Sequence, residues 1–502
     1  MRNKINLRNL AIAGFFACAL ASCSRDFLEV PKEGSITEES YYKDESQVFT
    51  GLVATYDALR KNSGGFENMI TMMNAGSDDQ YAGGGGESDG AGIQSFSNFS
   101  INQFTIPESF WSDHYQGIFR ANILLQKISK VQMDASKKAR FIAEAKTLRA
   151  LYYFNLVRMF KNIPLILEPV SPTNMYSITQ AKPADIYAQM EKDLLAAIND
   201  LPATVTTDEY GRLTKGAAQA LLGKVYLYDG KKAEAATQLA AVNGTPGGTS
   251  QYGYKLLTNF SDLWVTNNKF NSESIIEVSH TNKSQAGWGN WGSGTDEGNS
   301  VCVMVGPRGY VKNNASAPDL PAGWSFNVWT QNFYDFMKTD PRFSETVFDL
   351  KALKAAGAAD YVPGYKDTGY FMKKFLPTSA DVSPLGGDSV LNYQKNSYII
   401  RLADTYLLEA EALGGTGARA QALLDAVRFR AGLSSVPVSM QTIKDERRRE
   451  LAGEGHRFFD LVRWGDAASV LASRGFKANK NEVFPIPNNE LNGTKLVQNP
   501  GY

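Results

Sequence analysis

The sequence of 502 residues contains very little cysteine and histidine, with three residues of each kind. His114, His280 and His456 lie far apart, and the sequence has no H-E-x-x-H motif and no closely spaced pair of cysteines outside its first 23 residues. Zinc sites are usually built from closely spaced ligands of these types. We therefore expect no zinc site, and no motif in the chain predicts another metal or a cofactor.

Neither sign of charge is in excess, because Lys and Arg together number 52 and Asp and Glu together also number 52. A protein that binds nucleic acid needs a basic face, and nothing in this composition predicts one. Long apolar runs are also missing, since no run beyond residue 20 approaches the ~20 residues that a transmembrane helix needs. The apolar content of 43% is that of a globular protein with a large core.

One pattern resembles a hydrolase motif, but its context is wrong. Residues 86–90 (GESDG) satisfy G-x-S-x-G, yet they follow a run of glycines rather than an apolar strand and open no predicted helix. No P-loop or dinucleotide-binding fingerprint is present. A pair of glycosidase carboxylates stays open as an alternative, because the two acids can lie anywhere in a sequence.

The N-terminus has the composition of a targeting segment. Arg2, Lys4 and Arg8 form a basic region, and residues 10–20 form an apolar stretch too short to span a bilayer. We predict that residues 1–22 are a signal peptide that is removed. Its removal would leave a slightly acidic protein, because it deletes three basic residues and no acidic one.

The predicted signal peptide ends in L-A-S-C at residues 20–23, which resembles the lipobox of bacterial lipoproteins. Cys23 is therefore the predicted site of lipid attachment, and residues 23–35 have the few apolar residues expected of a tether. Only Cys302 would then remain in the body of the protein, so no intramolecular disulfide can form.

Helical periodicity dominates the N-terminal half, where apolar residues recur at spacings of three and four. These patterns predict helices at residues 38–60, 111–130, 136–160 and 183–200. Residues 216–242 match the offsets of a tetratricopeptide helix-turn-helix, and residues 401–431 offer a second hairpin of similar plan. We predict an all-α fold: a tetratricopeptide-type scaffold of about four helix pairs, with a loop-rich insertion that contains short strands, one of them at residues 274–279.

Residues 446–465 (ERRRELAGEGHRFFDLVRWG) combine dense opposite charge with an apolar face, which predicts a packed helix. Acidic residues precede basic ones at helical spacing in the pairs Asp445/Arg449, Glu454/Arg457 and Asp460/Arg463. Isolated surface pairs contribute only ~0.3 to 0.5 kcal/mol each, so this density indicates buried partners on neighbouring helices. Glu454, His456 and Asp460 could also act as acids or bases, but a structural lattice of ion pairs is the favoured interpretation.

This charged stretch resembles the signature segment of the SusD/RagB family, the surface glycan-binding lipoproteins of Bacteroidetes-type bacteria. Four further segments resemble the same family in order and spacing: residues 398–413 (YIIRLADTYLLEAEAL), 427–433 (VRFRAGL), 484–491 (FPIPNNEL) and 498–502 (QNPGY). The resemblance implies a lipid anchor on Cys23 in the outer membrane, an oligosaccharide ligand, and a SusC-like TonB-dependent transporter as partner. It implies binding without catalysis, and neither cofactor nor nucleic acid.

With the resemblance, the chain divides into five parts. These are a signal peptide (1–22), a lipidated tether (23–35), an N-terminal helical region (36–260), a loop-rich insertion (261–395) and a C-terminal helical region with a tail (396–502). Two loop-rich stretches stand out by composition, residues 62–107 with GGGG at 83–86, and residues 280–330 with four of the seven tryptophans. Loops of this length in a folded domain usually carry function.

Trp288, Trp291 and Trp324 are the first candidates for ligand contact. The first two lie in the polar segment GWGNWGSG, and indole rings on loops offer flat apolar faces and an N–H donor that suit the C–H faces of sugars. The alternative is that these rings only pack the loops onto the scaffold. Trp264 and Trp464 are predicted to be structural.

The family resemblance adds a second group of candidates, because a helix N-terminus and an acidic loop border the glycan site in that family. At the matching positions the chain has Asp78, Asp79, Tyr81, Trp111 and His114. Two other functions stay open: an α-helical glycoside hydrolase that acts on the same ligands, and a tetratricopeptide adaptor that binds peptides rather than sugars.

Overall fold

The computed structural model describes residues 41–292 and 296–502. The predicted signal peptide, the tether and Cys23 lie outside these residues.

Helices form most of the N-terminal half, and they begin at residues suited to helix starts. Asp134 and Thr214 accept hydrogen bonds from the first-turn N–H groups of Lys137 and Ala217, and Pro183 occupies a first-turn position where no N–H is needed. The helices are α1 Glu45–Tyr56, α2 Met69–Ala75, α3 Ala91–Ser97, α4 Ser109–Lys127, α5 Ala135–Phe160, α6 Pro183–Ile198, α7 Lys215–Tyr228 and α8 Lys232–Asn243.

The second half mixes short helices and strands before it returns to helices. The elements are β1 Ser274–Val278, α9 Ser300–Val305, β2 Val311–Lys312, α10 Gln331–Met337, α11 Phe343–Thr346, β3 Val347–Asp349, α12 Leu350–Ala355, β4 Ala359–Asp360, β5 Tyr370–Met372, β6 Ser397–Arg401, α13 Leu402–Ala412, α14 Gly417–Arg430, α15 Met440–Glu450, α16 Arg457–Trp464, α17 Ala467–Val470 and α18 Asn488–Leu491. Shorter 3-10 turns connect several of them.

The long helices pack in sequence order, α4 on α5, α5 on α6, α6 on α7 and α7 on α8. Helix α8 then packs on α13, across the whole insertion, and α13 packs on α14. Close approach is possible where small residues face a neighbour: a Cβ on Gly223 would lie 2.6 Å from Cγ of Leu239. This confirms the predicted all-α scaffold of the tetratricopeptide type.

Among the described residues, three small antiparallel sheets are present: β2 pairs with β4 and β3 with β5 inside the insertion, and β1 pairs with β6, which follows the insertion. The predicted strand at 274–279 is present as β1. The insertion has an apolar cluster of its own, built on residues such as Trp264, Trp329, Phe333 and Phe371, beside the main core of the helical scaffold. The loops are therefore packed onto a folded base.

The pattern of the charged stretch 446–465 predicts a single helix, and this prediction is wrong. The stretch consists of the end of α15, a turn and then α16. The turn contains Gly453 and Gly455, whose φ angles are +79° and +81°, a conformation that favours glycine and ends a right-handed helix. At Gly453 a side chain would also collide with the sulfur of Met372. Periodicity alone could not show this contact.

The predicted ion pairs with neighbouring elements are present and buried. Of the pairs predicted within the stretch, Asp460/Arg463 forms, but Glu454 pairs with Arg401 and Arg457 with Asp78. Glu450 accepts hydrogen bonds from Arg342, Arg401 and Arg430, and Arg447 joins Asp404 to Asp460. The arginine charges hold the pKa of Glu450 well below its ordinary value, although burial alone would raise it. In the part of the chain that the structure describes, no helix is both long and apolar enough to cross a membrane.

Candidate functional site

Three tryptophans from the two ends of one loop-rich stretch meet at a single place. The ring centroids of Trp288 and Trp291 lie 5.7 Å apart, those of Trp288 and Trp324 5.8 Å apart, and those of Trp291 and Trp324 5.5 Å apart. The rings of Trp288 and Trp324 are nearly parallel, at 26°, whereas Trp291 meets both almost at right angles. We call these three residues the tryptophan platform.

The platform is anchored on its inner side and open on its outer side. Phe66 packs edge-on against Trp291 and obliquely against Trp324, and it links both rings to the main core. Trp291 donates a hydrogen bond from Nε1 to Oγ of Ser300, 3.0 Å away. In contrast, Trp288 is 55% exposed, which is far more than a packing tryptophan needs.

The loop that carries Trp288 is clamped by a second loop from the end of the insertion. The backbone N–H of Trp288 donates to Oδ2 of Asp388 at 3.1 Å. The side chain of Asn392 accepts a hydrogen bond from the N–H of Ala286 and donates one to its carbonyl oxygen. The exposed indole is therefore held in place by polar contacts to its backbone rather than by burial of its ring.

Trp324 lies on a segment that is hydrogen-bonded to the first loop-rich stretch. Gly83 forms a bridge with Phe326, and the N–H of Gly84 donates to the carbonyl of Ser325 at 2.8 Å. Ser325 and Asn327 have φ angles of +61° and +54°. Such strained residues persist only where their surroundings hold them, and they cluster at functional sites.

The platform presents flat apolar faces on which a ligand can stack. Indole faces attract the C–H surfaces of pyranose rings, and two orientations of ring present two such faces. Among residues 41–292 and 296–502, no group of three or more His, Cys, Asp or Glu side chains is arranged to hold a metal ion.

The acidic candidates Asp78 and Asp79 lie elsewhere, in ion pairs with arginines of the charged stretch. Arg457 contacts both carboxylate oxygens of Asp78, at 2.8 and 3.0 Å, and Arg448 contacts Asp79 at 2.7 Å. Burial raises the pKa of Asp79 despite Arg448, whereas the hydrogen bond and charge of Arg457 outweigh burial and lower the pKa of Asp78. Tyr81 lies beside them, with the Arg474 guanidinium 4.4 Å from its ring centroid.

Trp111 and His114 are buried in α4, with 3% and 1% of their surfaces exposed. Trp111 packs against Tyr115 and Phe160 and borders an apolar groove of about 450 Å³. His114 bonds the carbonyl of Phe110 at 2.8 Å, and burial lowers its pKa to about 4, so that the ring is neutral. In the described part of the chain, no ring contact joins either residue to the platform.

Sequence reasoning missed Phe66, Asp388 and Asn392, which hold the platform from outside its own segment. Asp388 follows two glycines in a polar stretch of the insertion, and this loop-like composition is the one feature of the sequence that points to it. Trp329, which shares the stretch with Trp324, is fully buried and donates from Nε1 to the carbonyl of Phe371.

Comparisons with known proteins agree with this fold over most of the chain. A model of the SusD family matches residues 323–475, and a model described as starch-binding and associating with the outer membrane matches residues 68–227. A solved laminarin-binding SusD-like protein is 63% identical and has a TM-score of 0.91, with 92% of this chain and 100% of that chain covered.

Two more distant relatives extend the similarity. Surface glycan-binding protein A from Bacteroides fluxus is 29% identical with a TM-score of 0.80, over 92% of this chain and 100% of that chain. SusD-like protein P25 from Formosa agariphila is 26% identical, over 97% of each chain.

Proposed function

This chain belongs to the SusD family, and from that membership we propose that it binds a glycan on the tryptophan platform. The observation that carries the proposal is the exposed indole of Trp288, stacked at 5.8 Å on Trp324 and held by Asp388. An exposed aromatic ring that is fixed in place loses little conformational freedom when a ligand stacks on it. The family supplies the ligand class, and the platform supplies a surface that fits it.

We further propose that the glycan is a β-glucan of the laminarin type. Support comes from the solved relative that is 63% identical, which is described as a laminarin-binding protein. The platform agrees with that class, because Trp291 stands almost perpendicular to Trp288 and Trp324. An aromatic surface with two inclined faces suits a glycan chain that curves, whereas a flat row of aromatic rings suits a straight glycan chain.

The setting that we propose is the outer membrane, with a lipid on Cys23 and a SusC-like TonB-dependent transporter as the recipient of the glycan. The lipobox-like residues 20–23 and the description of the matching family model, which names association with the outer membrane, support it. The protein would bind glycan and release it to the transporter without breaking a bond.

Calorimetry with the purified protein tests this function. Titration with laminarihexaose should give saturable heat, whereas maltohexaose and cellohexaose should bind at least tenfold more weakly. No reducing sugar should be released over hours of incubation. Release of sugar would favour the glycoside hydrolase, and silence toward every glycan would favour a peptide-binding adaptor.

A further inference from the structure

A group of polar side chains is connected to the tryptophan platform through the contacting rings of Phe66 and Phe326. It consists of Glu87, Asp89, Arg308 and Tyr365, which come from three separate segments of the chain. Arg308 Nη2 lies 3.2 Å from Oδ2 of Asp89, and partial desolvation and the nearby Glu87 carboxylate raise the pKa of Tyr365. We call these four residues the polar edge.

Aromatic contacts connect the polar edge with the platform. Phe66, which packs against Trp291 and Trp324, also packs edge-on against Phe326 at 5.2 Å. A Cβ on Gly84, at the start of the loop that carries the edge, would lie 2.5 Å from the ring of Phe326. The contact between Phe66 and Phe326 therefore connects the platform with the loop that carries the edge.

The backbone ties the two sites together as well. Ser325, the residue next to Trp324, accepts the backbone N–H of Arg308 on its Oγ at 2.8 Å. The backbone N–H of Tyr365 donates to the carbonyl of Gly84, also at 2.8 Å. Arg308 and Tyr365 are thus placed by bonds to the segments that place the platform.

Charge and exposure of the edge fit hydroxyl recognition. The side chains of Asp89 and Arg308 are 37% and 39% exposed, and exposed ion pairs of this kind contribute little to stability. A carboxylate accepts and a guanidinium donates, so the pair can bind neighbouring hydroxyl groups of one sugar.

The glycine run leaves room for such a ligand. Gly83 and Gly84 are required by the close approach of residues 325 and 326, but a Cβ on Gly86 would meet no atom within 4 Å. Close packing therefore explains why glycine stands at positions 83 and 84. At Gly86 the space beside the loop is open.

We propose that the polar edge is a second subsite for the same glycan, where Asp89 and Arg308 bind hydroxyl groups of a sugar unit further along the chain. Tyr365 would offer that unit an additional aromatic face. This inference rests on the proposed function, since the platform must hold the first part of the oligosaccharide. The edge would make affinity depend on ligand length, because only a longer chain reaches both subsites.

A ladder of laminari-oligosaccharides tests the subsite. Calorimetry on Arg308→Ala with laminarihexaose should show a loss of about tenfold in affinity, the size expected for a hydrogen bond to a charged group. Laminaritriose, if it occupies the platform alone, should bind the variant as it binds the wild type. Tyr365→Ala should show the same dependence on length, and it provides a second readout if Arg308→Ala is poorly folded.

Lys354→Ala is the matched control, because it removes one partner of an exposed ion pair with Asp360 in the same insertion, and it should leave both affinities unchanged. An unchanged affinity of Arg308→Ala and Tyr365→Ala for laminarihexaose would overturn the subsite, and so would an equal loss for both ligand lengths. If the wild type binds neither ligand, the proposed function fails and the subsite fails with it. If Trp288→Ala abolishes binding while the edge variants do not change it, only the subsite is wrong.

Discussion

The indole rings of Trp288 and Trp324 lie nearly parallel, 5.8 Å apart, although they belong to different segments of the insertion. Trp288 is largely exposed, and the hydrogen bond from its backbone N–H to Asp388 holds its position. The pair is thus organised before any ligand arrives, and an aromatic surface of this kind is typical of binding sites that change little on binding.

Replacement of Trp288 by alanine should separate binding from packing. We expect the variant to lose about 1 kcal/mol or more of glycan binding free energy, at least fivefold in affinity, while its melting temperature stays within a degree or two of the wild type. Calorimetric titration with laminarihexaose, paired with a thermal melt, checks both. The contrasting variant is Trp329→Ala, whose fully buried ring should lower the free energy of unfolding by ~3 to 5 kcal/mol.

Asp388 should matter for affinity through Trp288 alone. Asp388→Ala removes the acceptor that holds the Trp288 N–H, and a hydrogen bond of this kind contributes about 1 kcal/mol. We expect a loss of affinity of about threefold to fivefold, and none in a variant that already lacks the Trp288 ring. Asp381→Ala is the control, because Asp381 bonds Thr378 within its own turn. Additive losses in the double variant would contradict the positioning role.

The sequence predicts the scaffold well because helix pairs are specified locally, by spacing and by residues such as Pro183 and Thr214 at helix starts. At 446–465 local periodicity predicts the wrong structure, because Gly453 interrupts the helical pattern where Met372, distant in sequence, occupies the space that a side chain would need. Local periodicity contains no information about such a neighbour.

The candidate site, like the fold, is predictable from the sequence only in part. Composition alone singles out Trp288 and Trp291, since a polar glycine-rich segment offers them little to pack against. The meeting of these rings with Trp324, and the support from Phe66, depend on tertiary contacts that no spacing reveals. The family resemblance singles out Asp78 and Asp79, but the sequence does not show that they pair with Arg457 and Arg448.

If Cys23 carries the lipid that we propose, Cys23→Ala should release the protein from the membrane fraction and leave its melting temperature unchanged. Each buried CH₂ of an acyl chain contributes ~0.8 kcal/mol to membrane attachment, so loss of the chains removes most of the anchoring free energy. Cell fractionation without detergent, followed by immunoblotting, measures the distribution. Cys302→Ala, at a buried thiol inside the fold, should stay in the membrane fraction. Membrane-bound Cys23→Ala would contradict the lipoprotein assignment.

Arg457→Ala should lower stability without lowering affinity for the glycan. The change leaves the Asp78 carboxylate, which is 17% exposed, with only the weaker contact to Arg448 at 3.2 Å. The expected decrease in the free energy of unfolding is about 3 kcal/mol, at the lower end of the scale for a broken buried pair. Urea denaturation measures it, and Lys338→Ala, in an exposed pair with Asp335, should change it by less than ~1 kcal/mol. A selective loss of glycan affinity would instead return Asp78 to the binding site.

Stability should fall as the pH is lowered through the histidine range, in a direction fixed by burial. Burial lowers the pKa of His114, His280 and His456 from 6.5 to about 4 in the folded protein. Between these values the unfolded chain binds more protons than the folded one, so stability is complete above pH 6.5 and decreases toward pH 4, by on the order of 3 kcal/mol for each histidine. Urea denaturation at a series of pH values from 7.5 to 4.5 measures the slope. His280→Gln removes one of the three groups and should make the slope shallower. A stability that stays constant from pH 7 to pH 5 would show that folding does not lower the pKa values of these rings.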